Sequence, residues 1–109
     1  MLDPKKFPFC SEFYIVEKTI EVVVSINGEA KRIRIEALHA PDSITTYSTQ
    51  AYIEETITIQ PTYPQEQGKY MREPVEVEIW IAYDLPWTSR NSADEAITQA
   101  LLFLEERCK

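Results

Sequence analysis

A chain of 109 residues, 44% of them apolar, is sized for one domain and apolar enough for a core, which excludes whole-chain disorder. At this length folding buries roughly 65% of the surface that the unfolded chain exposes, so no covalent or metal staple is required. The net charge of −7 and pI near 4.7 oppose non-specific contact with phosphate backbones and anionic membranes.

The first ten residues include Pro4, Lys5, Lys6, Phe7, Pro8 and Phe9. Residues 1–11 read as an irregular arm whose Phe7 and Phe9 could lie on the domain. They hold no apolar run of the kind a secretory signal needs, and a cytoplasmic chain is expected. No segment of the sequence approaches the run of about 18 apolar residues that a membrane helix requires. The two cysteines, Cys10 and Cys108, form no Cys-x-x-Cys pair and are expected as reduced thiols. A bridge between them would need Cα atoms within about 7 Å and an oxidising compartment.

Residues 12 to 26 alternate. Tyr14, Val16, Ile20, Val22, Val24 and Ile26 share one face, and Glu17, Thr19, Glu21 and Ser25 share the other, as a strand requires. Its length predicts a bend or bulge near Glu17 and Lys18. Asn27-Gly28 follows, the pair that best accepts the positive φ angles of a two-residue type I′ hairpin turn. That turn sets Val22 opposite Ile33, Ile20 opposite Ile35 and Glu21 opposite Arg34. Both faces match at once, and a one-residue slip would spoil both.

The second strand is predicted over Glu29 to Leu38, with Ile33, Ile35 and Ala37 inward and Arg32, Arg34 and Glu36 outward. Pro41, Asp42 and Ser43 mark a turn. The third strand is predicted over Thr49 to Gln60, where Ala51, Ile53, Ile57 and Ile59 alternate with Tyr52, Glu54, Thr56 and Thr58. A helix from Pro41 competes, because Ile44, Tyr47 and Ala51 have helical spacing; the serines and threonines of residues 43 to 48 weaken it. After the connection at residues 61–73, Val75, Val77, Ile79 and Ile81 alternate with Glu76, Glu78 and Trp80 in a fourth strand over Pro74 to Tyr83. Residues 84–91 form a loop. Ser92 and Glu95 then make a capping box. The helix that follows runs to about Arg107, with Ile97, Leu101, Leu104 and Cys108 as its apolar stripe.

The expected fold is α+β over a single domain, 1–109: a four-stranded antiparallel sheet in the order β-β-β-β-α, with the C-terminal helix packed on one face. One helix of about 10 Å width is too narrow for four long strands. The leftover apolar surface predicts a homodimer, or cover by the N-terminal arm.

Catalytic chemistry has little to stand on. No phosphate-binding glycine loop and no Gly-x-Ser-x-Gly elbow is present. The lone histidine, His39, reads as a solvated turn residue. Glu55 falls on the apolar face between Ile53 and Ile57. A buried carboxylate there would serve acid–base chemistry; the plainer expectation is an inward charge guarding an edge strand. Glu76 and Glu78 form a close carboxylate pair, which is also common on a solvated strand face. One histidine with scattered carboxylates suggests no metal, and no cofactor is expected.

The candidate binding residues are aromatic and basic. Tyr63, Lys69, Tyr70, Met71 and Arg72 lie in a connection long for a compact domain. Trp80 lies on the fourth strand, and Trp87 and Arg90 in the loop after it; such residues are typical binding anchors. Four strands followed by a helix resembles the repeats of Whirly-type single-stranded nucleic-acid-binding proteins, in element order and not in motif. That resemblance implies bases stacked on Tyr52 and Trp80 beside Arg32 and Arg34. The surrounding Glu21, Glu36, Glu54, Glu76 and Glu78 oppose it. The sequence therefore points first to a small non-enzymatic interaction module, with another protein or a second copy as partner. A single-stranded nucleic-acid-binding domain is the alternative, and a small enzyme using Glu55 or His39 the second alternative.

Overall fold

The turn at Asn27-Gly28 has the two positive φ angles that its sequence demands, 53° and 83°. A computed structural model describes residues 3–42, 45–59 and 74–108. The turn joins β1 (Ile15–Ile26) to β2 (Glu29–His39). In that ladder Val22 faces Ile33, Ile20 faces Ile35 and Glu21 faces Arg34, which is the register the turn dictates. The two outward charges meet, with Arg34 Nη2 donating to Glu21 Oε1 at 3.0 Å. The register shifts between Val16 and Lys18, a bulge at the expected place. β1 begins at Ile15 rather than near residue 12, and Tyr14 is exposed just before it.

β3 (Ser48–Ile59) and β4 (Val75–Ala82) complete a four-stranded antiparallel sheet in the order β1-β2-β3-β4. No helix starts at Pro41; residues 41–42 form a turn instead. β-branched residues fill β3, and the pairing of Tyr52 with both Arg34 and Ala82 decides for strand.

The helix α1 (Ala93–Arg107) packs on β1, β2 and β3. Ser92 is its N-cap, extended at φ −143°, with Oγ accepting the Glu95 N–H at 3.1 Å. Ile97, Ala100 and Leu104 bury their side chains against Ile33, Ile35, Ala37, Ala51 and Ile53. Each fully buried isoleucine or leucine contributes about 1.5–3 kcal/mol over an exposed one. Lys18 on β1 bonds Asp94 in the first helical turn. The buried Thr88 bonds the Thr49 hydroxyl at 3.0 Å, and backbone bonds between Tyr47 and Arg90 fix the segment that leads into the helix.

The sheet forks. The β1–β2 ladder continues to Ile26 and Glu29, and the β3–β4 ladder to Ile59 and Val75. The β2–β3 ladder that holds them together stops at Ile33 and Ile53. Below that row the molecule is two separate hairpin ribbons. Among the described residues the N-terminal arm covers neither. It makes one 3₁₀ turn at Pro4–Lys6, and Phe7 packs against Phe9 and Phe13, leaving Phe9 exposed. Cys10 and Cys108 are both free thiols.

A Cβ added at Gly28 would meet nothing within 4 Å, so the cost of a side chain there comes from its φ alone. Gly28→Val is expected to lower stability by about 1–2 kcal/mol, because a β-branched residue resists positive φ. Urea unfolding measures it, and an unchanged midpoint would show that the turn tolerates any residue.

Candidate functional site

Five of the sequence-predicted binding residues, Tyr63, Lys69, Tyr70, Met71 and Arg72, lie outside the described residues. The other three are not together. Trp80 is half-buried on the polar face of β4, with the Arg34 guanidinium 4.3 Å from its ring centroid. Arg34 sits on β2, so the indole leans across β3 to reach it. Trp87 is 73% exposed at the opposite end of the sheet from Ile59 and Val75. Arg90 donates from Nε to Gln99 Oε1 at 2.9 Å, in a shallow depression that it shares with Leu102 and Phe103 of α1.

The structure concentrates its unusual surface elsewhere, on the β3–β4 ribbon. Side chains on the helix side of this ribbon are aliphatic: Ile57, Ile59, Val75, Val77, Ile79 and Ile81, with Ile57 facing Val77 and Ile59 facing Val75. α1 does not pack on β4. Ile57 is therefore 40% exposed, Ile81 42%, Ile59 51% and Val75 56%. These residues have the alternation of a core strand and lack the cover. Isolated aliphatic residues on a surface need no explanation, but a contiguous strip does. On the other face of the same ribbon stand Glu54, Glu76 and Glu78.

Glu55 marks where the covered core ends. Alternation put it on the apolar face, and it is there; β3 is interior in the strand order, but its ladder with β2 ends at Ile53, so Glu55 stands where β3 parts from β2. It ion-pairs with Lys31 of β2 at 3.0 Å, and Lys31 also reaches Glu29 at 3.4 Å. The hydrogen bond to Glu55 raises the Lys31 pKa above 10.5, against the opposing effect of burial, and the charges of Glu55 and Glu29 add to the rise. The pair plugs the crotch of the fork just past Ile33 and Ile53. Sequence spacing along one strand gives no sign of it, because Lys31 and Glu55 meet only through lateral pairing of β2 with β3.

His39 is not a solvated turn residue. It ends β2, is 6% exposed and packs its ring edge-on against Tyr47. Its Nδ1–H donates to Ala40 O at 2.7 Å, and Nε2 lies 3.1 Å from Glu17 Oε2. Pairing with Ile15 extends the ladder one residue further than the sequence suggests and carries the ring into shelter. Its partners include no serine or cysteine. Among the described residues no group of three His, Cys, Asp or Glu side chains could hold a metal ion, and no helix is long and apolar enough to cross a membrane.

No family model, no curated protein and no solved structure matches the chain.

A raised folded-state pKa stabilises the fold below the unfolded value and loses that contribution as pH climbs past it. For Lys31 that window opens above 10.5. The wild-type urea midpoint is expected to exceed that of Lys31→Met by a margin that is constant from neutrality to about pH 9 and shrinks by about pH 12. A margin that stays constant into alkali would remove Lys31 and Glu55 as a working ion pair.

Proposed function

We propose that this chain is a non-enzymatic interaction module that docks another protein on the aliphatic face of its β3–β4 ribbon. The observation that carries the reading is the uncovered strip centred on Ile57, Ile59 and Val75, at the end of the sheet away from α1. Apolar area of this kind is what a partner removes from water, at about 25 cal/mol per Å². Glu54, Glu76 and Glu78 on the reverse of the ribbon, in a chain of net charge −7, repel anionic lipid and favour a protein whose apolar patch is rimmed by lysine or arginine. The ribbon is two-stranded below the fork, and such a ribbon is marginal in water without something packed on it. A bound partner supplies that packing.

The nucleic-acid alternative loses its main support on the polar face. Stacking needs a free aromatic face and a free cation. Trp80 has Arg34 over its ring, and Arg34 is already bound to Glu21.

Ile57→Asp combined with Ile59→Asp changes two exposed side chains, so its thermal unfolding is expected to stay close to wild type. Affinity capture from cells that express the chain is expected to retain a partner on wild type and on Leu102→Asp, a helix-surface control, and to lose it on the double variant. Equal retention by all three would place the docking surface elsewhere, and no retention by wild type would remove the reading. In a separate fluorescence-anisotropy titration with single-stranded oligonucleotides at physiological salt, no binding tighter than about 10 μM is expected. Submicromolar affinity would put the nucleic-acid reading first.

A further inference from the structure

We infer that β4 pairs antiparallel with β4 of a second copy, about a two-fold axis through Ile79, joining two sheets into one. This goes beyond the docking reading: it concerns the edge of β4, whereas that reading concerns its aliphatic face. Among the described residues β4 is an end strand of the sheet, and its ladder with β3 runs from Tyr52–Ala82 to Ile59–Val75 without a register shift. The other end strand, β1, carries a bulge between Val16 and Lys18 near its start, which twists that part of its edge away from a partner.

The direction of the free backbone groups follows from one bond. Tyr83 N–H donates to Ala51 O at 2.8 Å. In an antiparallel pair, successive residues turn their N–H and C=O groups alternately toward and away from the partner. Residues 75, 77, 79, 81 and 83 thus point these groups at β3, and Glu76, Glu78, Trp80 and Ala82 point theirs outward. An unpaired row of this kind is a template for another strand.

Symmetry and charge select one register. The two aliphatic faces stay on the same side only if odd-numbered residues face odd-numbered ones. An axis through Val77 sets Glu76 against Glu78 of the second copy. An axis through Glu78 sets that carboxylate against itself. An axis through Trp80 shortens the ladder and sets Glu76 against Asp84. The axis through Ile79 sets Glu78 against Trp80, Glu76 against Ala82, Val77 against Ile81 and Ile79 against its own copy. It matches apolar with apolar, opposes no two carboxylates directly, and forms about eight backbone hydrogen bonds. Trp80 leaves the edge open, since it leans inward to Arg34. The product is a continuous sheet of eight strands whose two aliphatic ribbons form a single platform.

Three measurements test it. In sedimentation velocity from about 1 to 200 μM, a concentration range set by typical weak association, the mass is expected to rise from 12.7 kDa toward twice that value. In a Cys10→Ser, Cys108→Ser background, Ile79→Cys is expected to form a disulfide-linked dimer under mild oxidation, because opposed residues of a non-hydrogen-bonded pair lie about 4.5 Å apart at Cα. Ile57→Cys, on β3, is expected to crosslink far less. Glu78→Pro removes an outward amide, which an edge strand tolerates; it is expected to keep the wild-type circular dichroism and abolish the dimer. A single 12.7 kDa species at the highest concentration would overturn edge pairing and leave the docking reading intact. A dimer that neither crosslinks at residue 79 nor responds to Glu78→Pro would also overturn it, and would assign association to another surface. Loss of partner capture with a normal edge dimer would instead sink the docking reading alone.

Discussion

The β2–β3 ladder stops at Ile33 and Ile53, and two charges stand just past it. The next positions on the apolar face are Lys31 and Glu55. A buried ion pair gains its Coulomb energy only after a large desolvation cost, and these side chains, bonded to each other at 3.0 Å, stay 23% and 31% exposed. A core cannot continue through them. The helix therefore needs to cover only the rows above, and α1 meets Ile33, Ile35, Ala37, Ala51 and Ile53 with Ile97, Ala100 and Leu104. Its alanines let it sit close to the sheet. On the β1–β2 ribbon Val24 and Ile26 still pack against the margin of the core; the rows of the β3–β4 ribbon are left to whatever meets them from outside.

Most of the fold was legible because its signals are local. Asn27-Gly28 needs only two residues to set a register of nine pairs, up to the bulge at Lys18. Ser92 needs only Glu95 to start the helix. Strand identity follows from alternation. What alternation cannot distinguish is an apolar residue under a helix from an apolar residue under nothing. Ile35 and Ile59 carry the same pattern; one is fully buried and the other half exposed. The candidate site was illegible for the same reason. Residue type directed attention to tyrosine, tryptophan and arginine, whereas the unsatisfied surface is isoleucine and valine. His39 failed differently: its shelter comes from Tyr47, Glu17 and Ile15, which only the third dimension brings near. Glu55 was placed on the correct face, but its partner Lys31 lies on the neighbouring strand.

The two faces of the sheet have opposite chemistry. On the polar face Glu21, Arg34 and Trp80 are joined across three strands, from β1 through β2 to β4, by a bond and a ring contact. A guanidinium over an indole contributes about 0.5–1 kcal/mol at an exposed site. That linkage ties the ribbon's upper end to the body of the sheet on the side the helix does not touch. The ribbon is thus anchored from both faces at its root and free along its length.

Each ladder joins strands adjacent in the chain, so each has its own loop to close, and the costs are unequal. The β1–β2 hairpin closes through residues 27–28, β2–β3 through residues 40–47 and β3–β4 through residues 60–74. Closure entropy grows with loop length, which puts these three pairings in chain order. Synthesis runs in the same direction. The first hairpin is complete once His39 leaves the ribosome, yet the helix that covers Ile33 and Ile35 is made after all four strands. For most of translation the aliphatic face that will become the core is as bare as the ribbon remains in the finished fold. A nascent chain of this design keeps its core face open to water until residue 104 arrives.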